Sequence, residues 1–485
     1  MKFSIDINNK IEVKPYWKHC VGSPHAYTAL RDDYRKQLLQ CKKDIGFHYV
    51  RFHGILDDLM STLLMKKSHT GQELGLVYNF NNIDNIIDYL LSIQMKPFIE
   101  LGFMPTAIAS GDKKVFHCHS NITLPKSDKA WEELIEKLVT HLVERYGVEE
   151  VKSWFFEVWN EPNLFFFFDG TKTDYFHLYE ITAKVIKKIH PKLRVGGPAT
   201  SCNAWISDFI QYGKEKEVPI DFVSTHHYPT DDPLWKSGMD IKDFFGSELS
   251  KDRKYDRAVL TKMCKQVKKE AGEYPVYFTE WNTSAMSDDP KHDESYAAAM
   301  IAKTLVDNMN LMEAYSFWTF TDIFEESGQQ PGEFHGGFGL QTYHGIPKPA
   351  YRVFEMFAQI GNEGYTIMCD EESTTVEAIM TSCDSGYRII VYNHQIPEEP
   401  IEGKEVSFDL SPLKGMKEIS IRRIDAEHSN PKKKWQELGS PQYPTTKELE
   451  LIKNASELEV EKLEYEEELS IYVPEHGVVI IDIHP

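Results

Sequence analysis

Two glutamates follow short segments rich in aromatic residues, and they are the first candidates for chemistry. Glu161 lies in WNEP (159–162) and Glu280 lies in FTEWN (278–282). A carboxyl group that emerges among aromatic side chains loses solvation, which raises its pKa toward the range that a general acid needs near neutral pH. Both segments read as strand ends, so we expect both carboxyl groups in one cleft.

Paired carboxyl groups across a cleft suit the cleavage of a glycosidic bond. At a separation of about 5–5.5 Å one group attacks the anomeric carbon while the other protonates the leaving oxygen, and at about 6.5–9.5 Å a water attacks instead. Sequence spacing leaves both outcomes open. Taken alone, either glutamate fits a buried structural carboxylate bonded to a Trp N–H or a Tyr hydroxyl. Their joint occurrence at two strand ends favours catalysis, with Glu161 and Glu280 as the catalytic residues.

Aromatic and polar residues near these segments suit a sugar, which presents apolar C–H faces and hydroxyl edges. From residue type and position we predict substrate-binding roles for His53, Asp57, Phe116, Phe167, His226, Tyr228, Trp281, Trp318 and Glu325. The pair at 226–227 contains metal-ligand types, but no third ligand follows at a suitable spacing. The trio His-Cys-His at 117–119 is typical of an exposed loop. Because the two carboxyl groups can supply the chemistry, we predict no metal and no organic cofactor.

Eight short apolar runs must position these residues, and they alternate with amphipathic segments between about residues 15 and 360. The runs are 19–22, 48–56, 96–103, 153–162, 194–199, 221–229, 275–282 and 314–321. Eight such alternations predict a (β/α)8 TIM barrel, in which residues at the carboxyl ends of the strands face the active site. A doubly wound open sheet is the competing fold, and the absence of GxGxxG after the first strand weakens it.

The character of the chain changes after about residue 362, where alternating, β-rich segments replace the helical patterns. These segments predict an appended C-terminal β-sandwich domain. We expect residues 1–14 to form strands that join this sandwich, residues 15–361 to form the catalytic barrel, and residues 362–485 to form the accessory domain. The acidic stretch 446–469 reads as a partly helical surface element and a candidate arm for a homo-oligomer.

Composition restricts the partners. The 485-residue chain has a formal net charge of −21, which argues against nucleic acid or an anionic membrane as the main partner. Its seven cysteines are scattered and odd in number, as is typical of reduced thiols rather than a disulfide framework. The N-terminus has no apolar leader pattern. We therefore predict a cytoplasmic protein that acts on a small oligosaccharide or glycoside.

Longer motifs resemble glycoside hydrolase family 39, in particular its β-xylosidase branch. The resemblance covers nearly the whole chain and rests on these segments: GFMPTAIASG (102–111), FFEVWNEPNL (155–164), LRVGGPA (193–199), DFVSTHHYP (221–229), FTEWNTS (278–284), YSFWTFTDIFEE (315–326), FHGGFGLQTYHGIPKPAY (334–351) and IDAEHSNPKKKWQELGSPQYPT (424–445). It implies a barrel with a β-sandwich and a retaining double displacement that releases xylose from short xylo-oligosaccharides or β-xylosides.

The resemblance also assigns roles by motif. It implies that Glu161 is the acid/base, that Glu280 is the nucleophile and that Asn160 binds the sugar 2-hydroxyl. It places Tyr228 beside the nucleophile. The other matched sugar-pocket positions are His53, Gly54, Phe167, His226, Trp318 and Glu325.

Four positions depart from the family pattern, namely Phe52, His117, Cys118 and Phe168. Because the family pattern places most of them near the glycone or aglycone pocket, alternative sugars stay open: an α-L-iduronidase, which would need a cationic group for the uronate, or an α-L-arabinosidase. A catalytically inactive carbohydrate-binding barrel is the non-enzymatic alternative, and the presence of both glutamates argues against it.

Overall fold

Eight parallel strands close into a barrel. The computed structural model describes residues 1–237, 255–371, 375–384 and 386–485. In chain order the barrel strands are Cys20–Ser23, Tyr49–Phe52, Lys96–Leu101, Phe155–Val158, Arg194–Thr200, Phe222–His226, Val276–Trp281 and Ala314–Phe317. Each lies within or within one residue of a predicted apolar run, and the prediction of a (β/α)8 barrel is confirmed.

Amphipathic helices surround the barrel and cover its apolar outer face. Asp128–Tyr146 illustrates how the sequence sets their limits: the Ser127 hydroxyl accepts a hydrogen bond from the Ala130 N–H at the start, and Gly147 takes φ +81° at the end. The described α-helices of the barrel region are Asp32–Asp44, Asn81–Ser92, Asp128–Tyr146, Val148–Val151, Lys172–Ile189, Ile206–Glu215, Asp232–Ser237, Val259–Ala271, Ser295–Asp307 and Pro349–Ala358.

Aromatic side chains close the amino-terminal end of the barrel. Phe98, Phe155, Phe222 and Tyr277 form a buried cluster there, with the rings of Phe98 and Phe155 stacked at 4.7 Å. Because this end is filled, a substrate can enter only from the opposite end, where the strands terminate and the loops begin.

A second, nine-stranded sheet packs beside the barrel. Its strands are Lys2–Glu12, Glu363–Cys369, Val376–Cys383, Gly386–Asn393, Lys404–Asp409, Glu418–Ile424, Glu461–Glu464, Glu468–Val473 and Val478–His484. In the last strand, Val478 and Ile480 belong to the barrel core, whereas Val479, Ile481 and Ile483 belong to the sandwich core. The period of two along a strand thus gives this sheet one face for each core, and the predicted β-sandwich is confirmed.

Both termini of the chain contribute to this sheet. The strand Lys2–Glu12 pairs antiparallel with Glu363–Cys369 and parallel with Lys404–Asp409. We propose residues 1–14, 15–361 and 362–485 as the limits of the two sandwich segments and the barrel between them.

The acidic stretch folds onto its own barrel. It begins with the helix Thr446–Asn454, whose Ile452 is buried against Phe334 and Ile346 of the barrel loops. A second short helix, Pro431–Glu437, packs beside it. Among the residues that the structure describes, no helix is both long and apolar enough to cross a bilayer. Two small hairpins are also present, Leu63–Lys67 with Glu73–Tyr78 and Lys114–Val115 with Ser120–Asn121.

A buried ion pair within the sandwich sheet, whose arginine also bonds to the barrel, generates a stability prediction. Arg388 of the sandwich sheet donates to the Asp482 carboxylate at 2.5 and 2.9 Å and to the Met356 carbonyl of the last barrel helix at 2.8 Å. Asp482→Asn leaves this guanidinium buried without its counter-charge, so we expect the free energy of unfolding to fall by about 3 kcal/mol in urea titrations. The matched control is Glu402→Gln, in a pair whose carboxylate is 84% exposed, with an expected loss below about 1 kcal/mol. Equal effects of the two substitutions would contradict the assignment.

Candidate active site

A cavity opens at the carboxyl end of the barrel strands, and both predicted catalytic glutamates lie in its wall. Glu161 is 6% exposed and Glu280 is 4% exposed. The predicted sugar-binding residues His53, Asn160, Phe167, Tyr228 and Trp318 line the same cavity. Polar groups therefore converge on the floor, while aromatic side chains form part of the wall.

A tight turn after the fourth barrel strand directs Glu161 into the cavity. Trp159 and Glu161 both have positive φ, +67° and +42°, a backbone region that costs energy for residues other than glycine and recurs at functional sites. Hydrogen bonds hold the turn on both sides: the Trp159 N–H donates to the Leu101 carbonyl at 3.2 Å and the Glu161 N–H to the Ala199 carbonyl at 2.8 Å. The turn is thus fixed by the neighbouring strands.

A β-bulge in the seventh barrel strand directs Glu280. Thr225 pairs with Phe278 and His226 pairs with Glu280, so Thr279 is the extra residue. In a regular strand Thr279 and Glu280 would point to opposite faces, but the bulge turns both side chains inward. Glu280 then contacts the barrel floor, and Thr279 contacts Glu157 at 2.8 Å.

One buried guanidinium holds the floor of the cavity together. Arg51 is fully buried; it donates through Nη1 to Glu280 Oε1 at 2.7 Å, through Nε to Glu157 Oε2 at 2.6 Å and through Nη2 to Asn160 Oδ1 at 3.0 Å. The same Nη2 lies 3.1 Å from the Glu100 carboxylate. The charge of Arg51 therefore offsets part of the desolvation cost of three buried carboxyl groups.

The two glutamates differ in their surroundings, although they lie close together. Each offers a carboxylate oxygen within 4.8 Å of the other. Burial raises the pKa of Glu161 well above its usual range, and the neighbouring Glu280 charge raises it further. Burial also raises the pKa of Glu280, but the Arg51 guanidinium opposes that shift. At neutral pH this arrangement favours a protonated Glu161 beside an ionised Glu280.

His226 and Tyr228 each bond to one member of the pair. Tyr228 donates from its hydroxyl to Glu280 Oε2 at 3.0 Å, which stabilises the ionised form. His226 is fully buried beneath the cavity, with Nδ1 3.0 Å from Glu161 Oε1 and Nε2 3.0 Å from the Thr279 hydroxyl. His226 thus contacts the acid from below, while Tyr228 contacts the other carboxylate from the wall.

Among the predicted sugar-binding residues that do not line the cavity, Trp281 and Glu325 are engaged elsewhere. Trp281 is fully buried, and its ring stacks on Tyr315 at 4.3 Å in the barrel core. Glu325 is paired with Arg31 at 2.8 Å and also accepts from the Tyr27 hydroxyl. Its neighbour Glu326 lines the cavity instead, with Oε1 3.6 Å from His53 Nε2.

Gly54 and Asp57 support the wall from behind. Asp57 is 2% exposed, and its carboxylate accepts from His25 and, at 2.5 Å, from the Ser120 hydroxyl. Gly54 has φ +69°, and a Cβ at this position would lie 2.0 Å from His25 Nε2. Phe116, half-buried, packs its ring 5.3 Å from that of Phe167. These residues shape the cavity through the side chains that they contact.

The positions that depart from the family pattern fall into two groups. Phe52 and Phe168 are buried, and Phe168 packs edge-on against Trp159 at 5.4 Å. The other two lie behind the cavity wall: the His117 N–H donates to the Glu326 carbonyl at 2.7 Å, and Cys118 Sγ is 3.2 Å from Ser120 Oγ.

Several residues of the site were missed by the sequence analysis. Arg51, Glu100 and Glu157 are charged residues inside otherwise apolar strands, and that pattern was a usable signal because charged side chains are buried in strands only when they are paired. Glu100 bonds His53 Nδ1 at 2.5 Å, and burial raises its pKa to about 7. Burial and the Glu280 charge raise the pKa of Glu326 well above its usual range.

Two groups of side chains have the spacing of metal ligands in the part of the chain that the structure describes. They are His25, Asp57 and Cys118, and Glu161, His226 and Glu280. In the first group the Asp57 carboxylate already accepts from His25 and Ser120. In the second, both ring nitrogens of His226 are within hydrogen-bond distance of protein oxygens. These hydrogen bonds to protein atoms already engage the possible ligand atoms of His25, Asp57 and His226.

Comparisons with known proteins extend over the whole chain. The family model described as Glycosyl hydrolases family 39 matches residues 1–465. A β-xylosidase of Caldicellulosiruptor saccharolyticus is 44% identical, covering 100% of this chain and 98% of its own length, and one of Geobacillus stearothermophilus is 35% identical over 93% and 88%. The crystal structure of a monomeric β-xylosidase from Caulobacter crescentus CB15 has a TM-score of 0.86 at 30% identity, covering 100% of this chain and 99% of that one.

The close packing at Gly54 generates a prediction with a matched control. An alanine at position 54 would have to adopt a positive φ and would also clash with His25. An alanine at position 46 would have to adopt a positive φ, but nothing lies within 4 Å of its Cβ. We expect Gly46→Ala to cost about 1 kcal/mol and Gly54→Ala to cost roughly 2–3 kcal/mol more, measured as the free energy of unfolding. If both variants lose the same amount, the tight contact between residues 25 and 54 is refuted.

Proposed function

The chain belongs to glycosyl hydrolase family 39, and on this premise we propose that it is a retaining, exo-acting β-D-xylosidase. It would release xylose from short xylo-oligosaccharides or β-xylosides. The observation that carries this proposal is the buried carboxyl pair, whose oxygens approach within 4.8 Å. Such a short separation supports retention, because an inverting enzyme needs room for a water between the sugar and its base.

In the first step Glu280 attacks the anomeric carbon and Glu161 protonates the departing glycosidic oxygen. Arg51 and Tyr228 hold Glu280 ionised and oriented through Oε1 and Oε2 at 2.7 and 3.0 Å. Glu161 enters this step as the neutral acid, which its burial favours. The products are a glycosyl–Glu280 ester and the free aglycone.

In the second step Glu161 acts as the base. Its carboxylate takes a proton from a water that attacks the anomeric carbon, and the bond to Glu280 breaks. Asn160 is oriented by Arg51 at 3.0 Å toward the same cavity, and we assign to it the hydrogen bond to the sugar 2-hydroxyl that strengthens in the transition state. Net retention follows from two displacements at one carbon.

The charge of the cavity wall supports a neutral sugar. Its described lining contains the carboxyl groups of Glu161, Asp231, Glu280 and Glu326 and no lysine or arginine. A uronate carboxylate in this cavity would face the ionised Glu280 with no lysine or arginine in the described lining, which costs energy. An α-L-iduronidase activity is therefore disfavoured, and the two full-length β-xylosidase relatives support a xyloside.

The intact carboxyl pair and the two β-xylosidase relatives support an active enzyme over an inactive carbohydrate-binding barrel. Two further expectations remain proposals. A cytoplasmic location and a homo-oligomeric state are still predictions, and a relative of solved structure is described as monomeric.

Substitution of the two glutamates separates their roles. We expect Glu280→Ala to lower kcat on every β-xyloside by about 10⁴-fold or more, because the nucleophile is lost. Glu161→Ala should lower kcat/KM for xylobiose by roughly 10²–10⁴-fold, and much less for a nitrophenyl xyloside whose leaving group needs no proton. Unchanged turnover by Glu280→Ala, or equal losses of Glu161→Ala on both substrates, would contradict the assignment.

A panel of chromogenic glycosides tests the sugar. We expect the nitrophenyl β-D-xyloside to have the highest kcat/KM, ahead of the α-L-arabinofuranoside, with the α-L-iduronide close to background because the described wall offers it no cation. A preference for the iduronide would reject both the xylosidase assignment and the electrostatic argument behind it.

A further inference from the structure

A chain of hydrogen bonds runs from the barrel floor to the predicted acid. It connects Arg51, Glu157, Thr279, His226 and Glu161 through distances of 2.6, 2.8, 3.0 and 3.0 Å. All five side chains are buried. We propose that Thr279 is a positioning residue that fixes the tautomer of His226, so that Nδ1 of the ring accepts a hydrogen bond from protonated Glu161. This inference rests on the proposed function of Glu161 as the acid.

The direction of each bond follows from the Glu157 end. An ionised carboxylate can only accept, and Arg51 always donates, so Oε2 of Glu157 accepts from Arg51 and Oε1 accepts the hydroxyl proton of Thr279. The Thr279 oxygen is then left to accept from Nε2–H of His226. A neutral ring that carries its proton on Nε2 has a bare lone pair on Nδ1.

His226 is neutral because it is fully buried. Burial lowers its pKa well below its usual value, and the nearby Arg51, His53 and His227 lower it further. Nδ1 can therefore bond to Glu161 Oε1 only when Glu161 carries a proton to donate. An ionised Glu161 would instead place a carboxylate against the Nδ1 lone pair at 3.0 Å, which is repulsive.

Other charged and titratable groups also face Glu161. Glu280, Asp231 and Glu326 raise its pKa, and the cation Arg51 lowers it. Tyr228 and Cys202 are the other titratable groups near Glu161. These groups act on Glu161 through their charge. Among the described contacts, His226 alone either attracts or repels an ionised Glu161, according to which ring nitrogen carries the proton. Thr279 determines which nitrogen that is.

The Nε2-protonated tautomer of His226 favours both steps of the reaction. In the first, it favours the protonated acid until its proton passes to the leaving oxygen. In the second, repulsion from Nδ1 makes the Glu161 carboxylate a stronger base, and it recovers a proton from the water whose oxygen attacks the anomeric carbon. The ring itself neither gains nor loses a proton.

The test uses Thr279→Val, which keeps the shape of the side chain and removes its hydroxyl, beside Thr279→Ser, which keeps the hydroxyl. In the valine variant Nε2–H loses its acceptor, so the ring can place its proton on Nδ1 and donate it to ionised Glu161. The pKa of Glu161 then falls. We expect the basic limb of the kcat/KM profile, which reports loss of the acid's proton, to move down by about one pH unit in Thr279→Val. In Thr279→Ser it should stay at the wild-type position.

An unmoved basic limb in Thr279→Val, even with a lower kcat, would overturn the proposal, and so would an equal shift in Thr279→Ser. Neutron diffraction of the wild-type protein provides a test that needs no variant. Deuterium on Nε2 of His226 and on the Glu161 carboxyl supports the proposal, and deuterium on Nδ1 overturns it. Failure of the proposed function would look different, because the wild-type protein would then hydrolyse no glycoside of the panel or would prefer one other than the β-xyloside.

Discussion

The active-site end of the barrel depends on the buried guanidinium of Arg51. Burying three carboxyl groups inside one barrel costs several kcal/mol for each ionised group unless a cation compensates it. Arg51 forms ion pairs with Glu100, Glu157 and Glu280 and also orients Asn160 by a hydrogen bond. Its planar fork supplies donors in fixed directions, which a lysine cannot reproduce. The position of Glu280, and so the depth at which a sugar binds, follows from this one side chain.

The barrel surrounds two chemically identical glutamates with different partners, and these partners shift their pKa values differently. Glu280 contacts a permanent cation and a phenol, both of which stabilise its charge, whereas Glu161 contacts a neutral imidazole and the charge of its partner. Opposite environments push the two pKa values apart, which is how one site holds an acid and a nucleophile at the same pH. Arg51 acts on both, directly on Glu280 and through Glu157 and Thr279 on Glu161.

The sequence was sufficient for the eight strands and for the two glutamates at their ends, because apolar runs and strand-end position are local signals. It was insufficient for side-chain direction. The bulge at Thr279 turns an extra residue inward, so simple alternation from Glu280 gives the wrong direction for Thr279. Alternation does hold for Trp281, which lies on the face opposite Glu280, in the core against Tyr315. The choice between Glu325 and Glu326 likewise depends on Arg31, which is distant in sequence and captures Glu325. Such outcomes are set by tertiary packing.

The most direct measurement of the central claim is to trap the glycosyl–enzyme ester. A 2-deoxy-2-fluoro-β-xyloside with a good leaving group forms that ester faster than it hydrolyses, because fluorine destabilises the oxocarbenium-like transition states of both steps. After peptic digestion and mass spectrometry, we expect one equivalent of fluoroxylosyl on the peptide that contains Glu280, with sequencing that places it on this residue. A label on Glu161, or release of inverted xylose from an ordinary β-xyloside with no label at all, would contradict the account.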